Sequence, residues 1–166
     1  MRVALLIASI LLLAAPAAGQ SPTPAPTFPQ DDPDPAIANG SAQRALDAAR
    51  RHWRRASIHN YRFEFERQCF CAPRGPVVLF VRNDRPVDPP SALRDVATVR
   101  RLHRVVQRAI DREVADLSVR YDRRGVPRSI GIDGHRMIAD DEVGYSVERF
   151  WRGTKGRGGP DAPSSR

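Results

Sequence analysis

Lysine is almost missing from this 166-residue chain: Lys155 is the only one, and arginine supplies the remainder of the 27 basic residues. Cysteine is scarce too, with only Cys69 and Cys71, so any thiolate chemistry is confined to one short stretch. A single long apolar run exists, Val3 to Ala15, and it falls short of the ~20 residues that a membrane-spanning helix needs. None of Ser41, Ser57, Ser129 and Ser146 has the glycine context of a nucleophile elbow. The four histidines include no pair at the i, i+4 spacing that puts two metal ligands on one helix face. Asp133, Asp140, Asp141 and Glu142 lack the alternating oxygen ligands and turn glycine of a calcium loop, so they read as a solvated turn. These absences leave no catalytic residue, cofactor site or metal site to nominate, and they point away from an enzyme.

The charge is one-sided, +8 over the whole chain, falling by one to +7 when Arg2 is removed with a leader. A nucleic-acid binder would carry such an excess. Here the arginines are spread over every element, mixed with Asp and Glu, and no glycine-arginine or aromatic-interleaved tract of the kind that grips single strands exists. No nucleic-acid partner is expected.

Residues 1–19 have the three parts of a secretory signal peptide in order: a positive charge at Arg2, the apolar run, and small residues through Ala17, Ala18 and Gly19. No cysteine follows to accept a lipid, so the processed protein is expected free in the periplasm or outside the cell, with no transmembrane span. Residues 20–40 are proline-rich and read as a disordered linker, because they bury too little apolar surface to offset their ordering entropy. Residues 153–166 read as a disordered tail. Between them residues 41–152 are long enough for one domain with one core.

Within that domain Leu46, Ala49 and Trp53 mark a first amphipathic helix, with Ser41 as a candidate N-cap and an arginine-rich outer face. From Asn60 to Pro73, Tyr61, Phe63, Phe65, Cys69 and Cys71 fall at alternate positions with Arg62, Glu64, Glu66 and Gln68 between them, the pattern of a half-buried antiparallel strand. Val77 to Arg82 is apolar on both faces, which predicts a central strand, and Arg85 to Val87 a short return strand. Val99, Leu102, Val106 and Ile110 form the stripe of a second helix capped by Thr98, with His103 at the edge of its contact with the sheet. Strands follow at Leu117–Tyr121, around Ile130 and Ile132, and over Tyr145, Val147 and Arg149. Helix, strands, helix, strands predicts an α+β fold: an antiparallel sheet of four to six strands with two helices packed on one face. Trp53, Phe63, Phe65, Leu79, Leu102, Val106, Val119 and Ile130 are the expected core.

The two cysteines share the apolar side of their strand. In an oxidising compartment an even pair most simply closes a disulfide, Cys69 to Cys71, although residues i and i+2 of a flat strand sit near the upper limit of about 6.8 Å between Cα atoms. A bend toward Pro73 favours closure. Such a small ring gives little loop-entropy stabilisation, and its strain would make it easier to reduce. Structural bridge or buried thiols, redox centre, and part of a metal site therefore stay open in that order.

The stretches WRRASIHNYRFEF, CFC, YDRRGVPRSIGID and IADDEVGYSV, taken together, resemble a family of small bacterial exported proteins and lipoproteins catalogued as a domain of unknown function. The likeness runs from about Trp53 to Phe150. It implies export and supplies no catalytic residues. Two departures are the absent lipid-acceptor cysteine and Val126, where an aromatic is usual. The functional expectation is a non-enzymatic binding or accessory module of the cell envelope that engages an envelope protein or peptide through its sheet face or edge. The alternative is a thiol-redox or metal-binding accessory protein using Cys69 and Cys71.

Overall fold

The computed structural model of the chain describes residues 32–69, 75–135 and 142–154. In order these form α1 (Pro35–Ala38), α2 (Ser41–Ala56), β1 (Tyr61–Cys69), β2 (Val77–Arg82), β3 (Arg85–Val87), a 3-10 turn (Ser91–Val96), α3 (Val99–Asp111), β4 (Asp116–Tyr121), β5 (Pro127–Asp133) and β6 (Val143–Arg152). The strands make one antiparallel sheet in the order β3-β2-β1-β6-β5-β4. The expected α+β architecture is therefore present, with α2 and α3 on one face and β1 paired to β6 at the centre. Among the described residues no helix is long and apolar enough to cross a membrane.

The alternation in β1 sets the two faces. Tyr61, Phe63 and Phe65 are buried against the helices, while Arg62, Glu64 and Glu66 turn to the outer face. Their inner partners are Leu79 and Val81 of β2, Val147 of β6, Leu102 and Val106 of α3, and Leu46 and Trp53 of α2. Of the expected core, only Val119 is half-buried; it lies in β4 at the sheet's edge. Trp53 meets Tyr61 edge-on at 5.3 Å and Phe150 at 6.0 Å, and the Tyr61 hydroxyl accepts from Val99 N at 3.1 Å, tying β1 to the start of α3. Thr98 caps α3 as expected, its Oγ1 accepting from Arg101 N at 3.1 Å.

Several local expectations change. Ser41 is the first residue of α2, and Gly40, at φ +74°, takes the cap position. Before it, inside the stretch expected to be linker, Pro35–Ala38 forms a helical turn opened by Asp34, which is only 8% exposed. The Asp34 carboxylate accepts from Ala36 N at 2.6 Å and from Leu117 N at 3.1 Å, so one side chain caps α1 and covers the start of the β4 edge. In β2 the outward Val78 and Phe80 are 41% and 40% exposed, where two buried faces were expected. The strand lies next to the edge, and among the described residues no helix crosses its outer face. A bulge where β6 passes Glu64 breaks the alternation after Val147, so that Phe150, and not Arg149, faces the core opposite Phe63.

The Asp122–Gly125 turn between β4 and β5 is the most heavily tied loop. Asp122 Oδ1 accepts from Arg124 N and Val126 N at 2.9 and 3.0 Å. His52 and His103 both reach it from the helices, donating to Arg123 O at 3.1 Å and to Gly125 O at 2.8 Å. Gly125 has φ +83°, and a methyl there would run into the Ala49 carbonyl, so only glycine lets α2 lie this close. His103 is 3% exposed, well inside the contact whose edge it was expected to mark.

Candidate functional site

Four places on this framework could carry chemistry or recognition. The first is the sulfur end of β1. Cys69 closes the strand opposite Val143 of β6, on the same side as Phe65 and Arg67. It is not a free thiol. Cys71, its expected partner, lies outside the described residues, as do Asp140 and Asp141 of the acidic run. Glu142 is exposed, and Asp133 accepts from His135 N at 3.0 Å in a local turn. Among the described residues no group of three or more His, Cys, Asp and Glu side chains is arranged to hold a metal ion.

The histidines are separated by role. His59 Nδ1 donates to Asp84 Oδ2 at 2.7 Å, and Arg100 approaches the same oxygen at 3.7 Å, a partly exposed ionic cluster joining the start of β1, the β2–β3 turn and α3. His103 is enclosed. Burial lowers its pKa to about 4, with the Gly125 carbonyl working against that shift and Arg50 adding to it, so it is neutral at pH 7. Its Nε2 carries the proton donated to Gly125 O, and the Tyr121 ring stands 6.2 Å away. Burial pushes the Tyr61 and Tyr121 phenols above their usual range. The Tyr121 hydroxyl is buried with no hydrogen-bond partner among the described residues. It borders a cleft of about 260 Å³ beside Ala42, Ala45, Val106 and Val119. His103 thus holds the β4–β5 turn against α3, while Ser41, whose hydroxyl donates to Ala36 O at 3.3 Å, lines the same cleft as Tyr121.

The second place is the outer face of β3, β2, β1 and β6. Among the described residues Val78, Phe80 and Val87 are the exposed large apolar side chains, at 40–41%. Register puts Val87, Phe80, Arg62 and Trp151 in one row across the four strands. The Arg62 guanidinium lies 4.7 Å over the Trp151 ring, and Arg149 pairs with Glu64 at 2.5 Å beside it. At the end of the β2–β3 hairpin Arg82 stands directly opposite Arg85, both exposed and neither ion-paired among the described residues. Like charges directly opposite cost stability in an isolated ladder. An aromatic and arginine patch around exposed aliphatics has the composition of a protein contact surface.

The third is the ionic cluster at His59, and the fourth is a groove of about 690 Å³ between the C-terminal half of α3 and the β5–β6 end of the sheet. Val105, Ala109, Ile132, Val143 and Tyr145 supply its apolar lining. Arg108, Arg112, Glu113 and His135 stand around it, and the chain enters the domain along its side at Asp32 and Pro33. Arg67 reaches over the Tyr145 ring at 5.9 Å.

Cys69 stands on the strand expected for it, Cys71, Asp140 and Asp141 lie outside the described residues, and the histidines among the described ones are not gathered into one site. Sequence reading missed the outer-face row. The available signal was a three-residue return strand containing Pro86, which marks an edge hairpin whose outward apolar residues stay partly exposed. No curated protein and no solved structure matches the chain significantly. A family model, described as a family of unknown function, matches residues 45–152, from the second turn of α2 to the end of β6. The chain thus belongs to the family of unknown function DUF6174.

Proposed function

We propose that the protein is an exported, non-enzymatic binding module of the bacterial cell envelope that engages an acidic partner protein through the outer face of β3, β2, β1 and β6. The observation that carries this reading is the row Val87, Phe80, Arg62 and Trp151 beside the Arg82–Arg85 couple, which has no ion pair among the described residues. Exposed aromatics give contact area at little entropic cost. Two arginines held opposite each other gain from an anionic group laid between them. The N-terminal sequence, with its short apolar run and small residues after it, supports export to the periplasm or beyond. In that compartment the only possible intrachain partner of Cys69 is Cys71, and a bridge between them fits the absence of a free thiol among the described residues.

A photo-crosslinking residue at position 80, introduced in the native host, tests the reading. The expected result is one dominant protein adduct that is lost with Arg82→Glu/Arg85→Glu and absent when the same residue replaces Ser129 on the polar half of the face. Equal adduct patterns at both positions would overturn it. Phe80→Ser should leave the melting temperature within about one or two degrees of the parent, since exposed substitutions change stability by about 0.5 kcal/mol or less. The thiol-redox alternative predicts that Cys69→Ser/Cys71→Ser abolishes function while leaving the position-80 adduct intact.

A further inference from the structure

We infer that the cleft between α2 and α3, on the helical side of the domain, is an anion site that takes a phosphate monoester or diphosphate group. Arg50 and Arg54 stand one turn apart on α2, and Arg100 and Arg104 one turn apart on α3. All four line a single cleft of about 250 Å³, together with Trp53 and His103. Among the described residues no acidic side chain lines it. Like charges at i, i+4 repel within each helix, and packing α2 against α3 brings the two pairs together. An anion laid between them relieves the repulsion in both helices at once.

The counter-charges that the domain itself supplies are few and loosely held. Arg50 meets Asp47 at 3.5 Å, and Arg100 approaches Asp84 at 3.7 Å on an oxygen already taken by His59. Arg54 and Arg104 are exposed and have no ion pair among the described residues. Beneath these charges the cleft is shielded from water. Trp53 and His103 are 4% and 3% exposed, and the Trp53 indole N–H has no hydrogen-bond partner among the described residues. The Nε2 proton of His103 is committed to Gly125 O. Burial holds the His103 pKa down, the Gly125 carbonyl opposes that, and the Arg50 charge adds to it, so the imidazole is neutral and the positive charge of the cleft is that of its four guanidiniums.

That charge selects the ligand class. A guanidinium fork binds two oxygens of one group, and the terminal oxygens of a dianionic phosphate can be shared among several forks, whereas a carboxylate carries one charge and engages a single fork. The cleft is smaller than the roughly 300 Å³ at which sites for drug-sized ligands begin, so it holds the phosphate itself and leaves the rest of the ligand outside. That remainder is either a soluble compound or a lipid. The site is independent of the outer-face contact, which lies on the other side of the sheet.

Nitrogen-15-labelled protein titrated with inorganic diphosphate, and separately with succinate, tests the inference. The expected result is a saturable shift of the Trp53 indole N–H with diphosphate, and binding weakened roughly ten-fold or more by Arg54→Gln/Arg104→Gln, as the loss of two charge-assisted donors implies. Arg51→Gln/Arg55→Gln removes the same charge from α2 outside the cleft and should leave the affinity unchanged. All four substituted arginines are exposed, so both variants keep the fold. Co-sedimentation with phosphatidylcholine vesicles containing phosphatidate separates the two sources: binding that needs Arg54 and Arg104 assigns the phosphate to a lipid headgroup, and diphosphate binding without it assigns a soluble compound. Equal weakening by the two double variants would reduce the effect to net charge and overturn the site. Succinate binding as tightly as diphosphate would overturn the phosphate assignment, and failure to bind both diphosphate and the phosphatidate vesicles would overturn the inference as a whole.

Discussion

His103 makes the stability of this domain depend on pH, because its burial favours the neutral imidazole. The side chain is enclosed by α3, Tyr121 and the β4–β5 turn, and burial lowers its pKa from 6.5 to about 4. In the unfolded chain the imidazole takes up a proton near pH 6.5; in the folded protein it does not until near pH 4. Between those values the unfolded state binds more protons, so folding stability falls as the pH falls, and its contribution is complete above pH 6.5. The gap of roughly 2.5 pKa units corresponds to about 3 kcal/mol by pH 4, of which about 1.4 kcal/mol is already lost at pH 5.5. Urea denaturation at pH 7.5, 6.5 and 5.5, at one ionic strength, measures the loss. The control is His103→Gln, whose amide can still donate to Gly125 O and has no proton to gain. Subtracting variant from parent removes the titration of every other group, and the difference should steepen by about 1.4 kcal/mol from pH 7.5 to 5.5. Parallel curves for the two proteins would refute the claim that His103 is buried and neutral.

Other perturbations follow from the same contacts. Gly125→Ala must place a methyl at φ +83° against the Ala49 carbonyl, and it should cost roughly 3 kcal/mol or more, read as a fall in the urea midpoint with an unchanged slope. Asp34→Ala removes the α1 cap and leaves the buried Leu117 N–H unpaired; a loss of roughly 2 to 3 kcal/mol is expected, with Leu117 among the amides whose hydrogen exchange speeds up most. Phe65→Ala empties a position that is 1% exposed and stacked on Tyr145 at 5.9 Å, at a cost of about 3 to 5 kcal/mol; a parent-like melting curve would contradict a core centred on β1. Intact mass of the exported protein after alkylation without reductant should show no added groups, and two added groups would refute the Cys69–Cys71 bridge.

Much of the fold is legible because its elements are written in simple periods. Tyr61, Phe63 and Phe65 alternate without interruption, and Val99, Leu102, Val106 and Ala109 keep helical spacing, so the strand, the helix and the face on which they meet can be read directly. What escapes this reading depends on contacts between distant residues. Asp34 looks like linker because it stands among prolines, and its bonds to Val114 and Leu117, the latter 83 residues away, make it part of the domain. His103 shows the same limit: beside Leu102 in sequence it looks marginal, and the Gly125 carbonyl, 22 residues on, is what makes a fully enclosed imidazole tolerable. The bulge in β6 is likewise invisible to alternation, since one extra residue opposite Glu64 exchanges the faces of everything after it.

The candidate contact face was hidden for a different reason. A strand with apolar residues on both sides, such as Val77 to Val81, is ordinarily a buried central strand, and pattern alone supports that choice. The decisive fact is the length of the next strand: β3 has three residues, one of them Pro86, so β2 has only a short edge strand beyond it. Nothing among the described residues covers Val78, Phe80 and Val87 on the outer side. A proline, exposed arginines and brevity protect this edge from pairing with another strand, yet the same hairpin keeps its outward face apolar. Protection of the edge together with exposure of the face fits a partner that lies across the strands, not one that extends the sheet. Arg62 over Trp151, with Arg82 opposite Arg85, then gives that partner an acidic character.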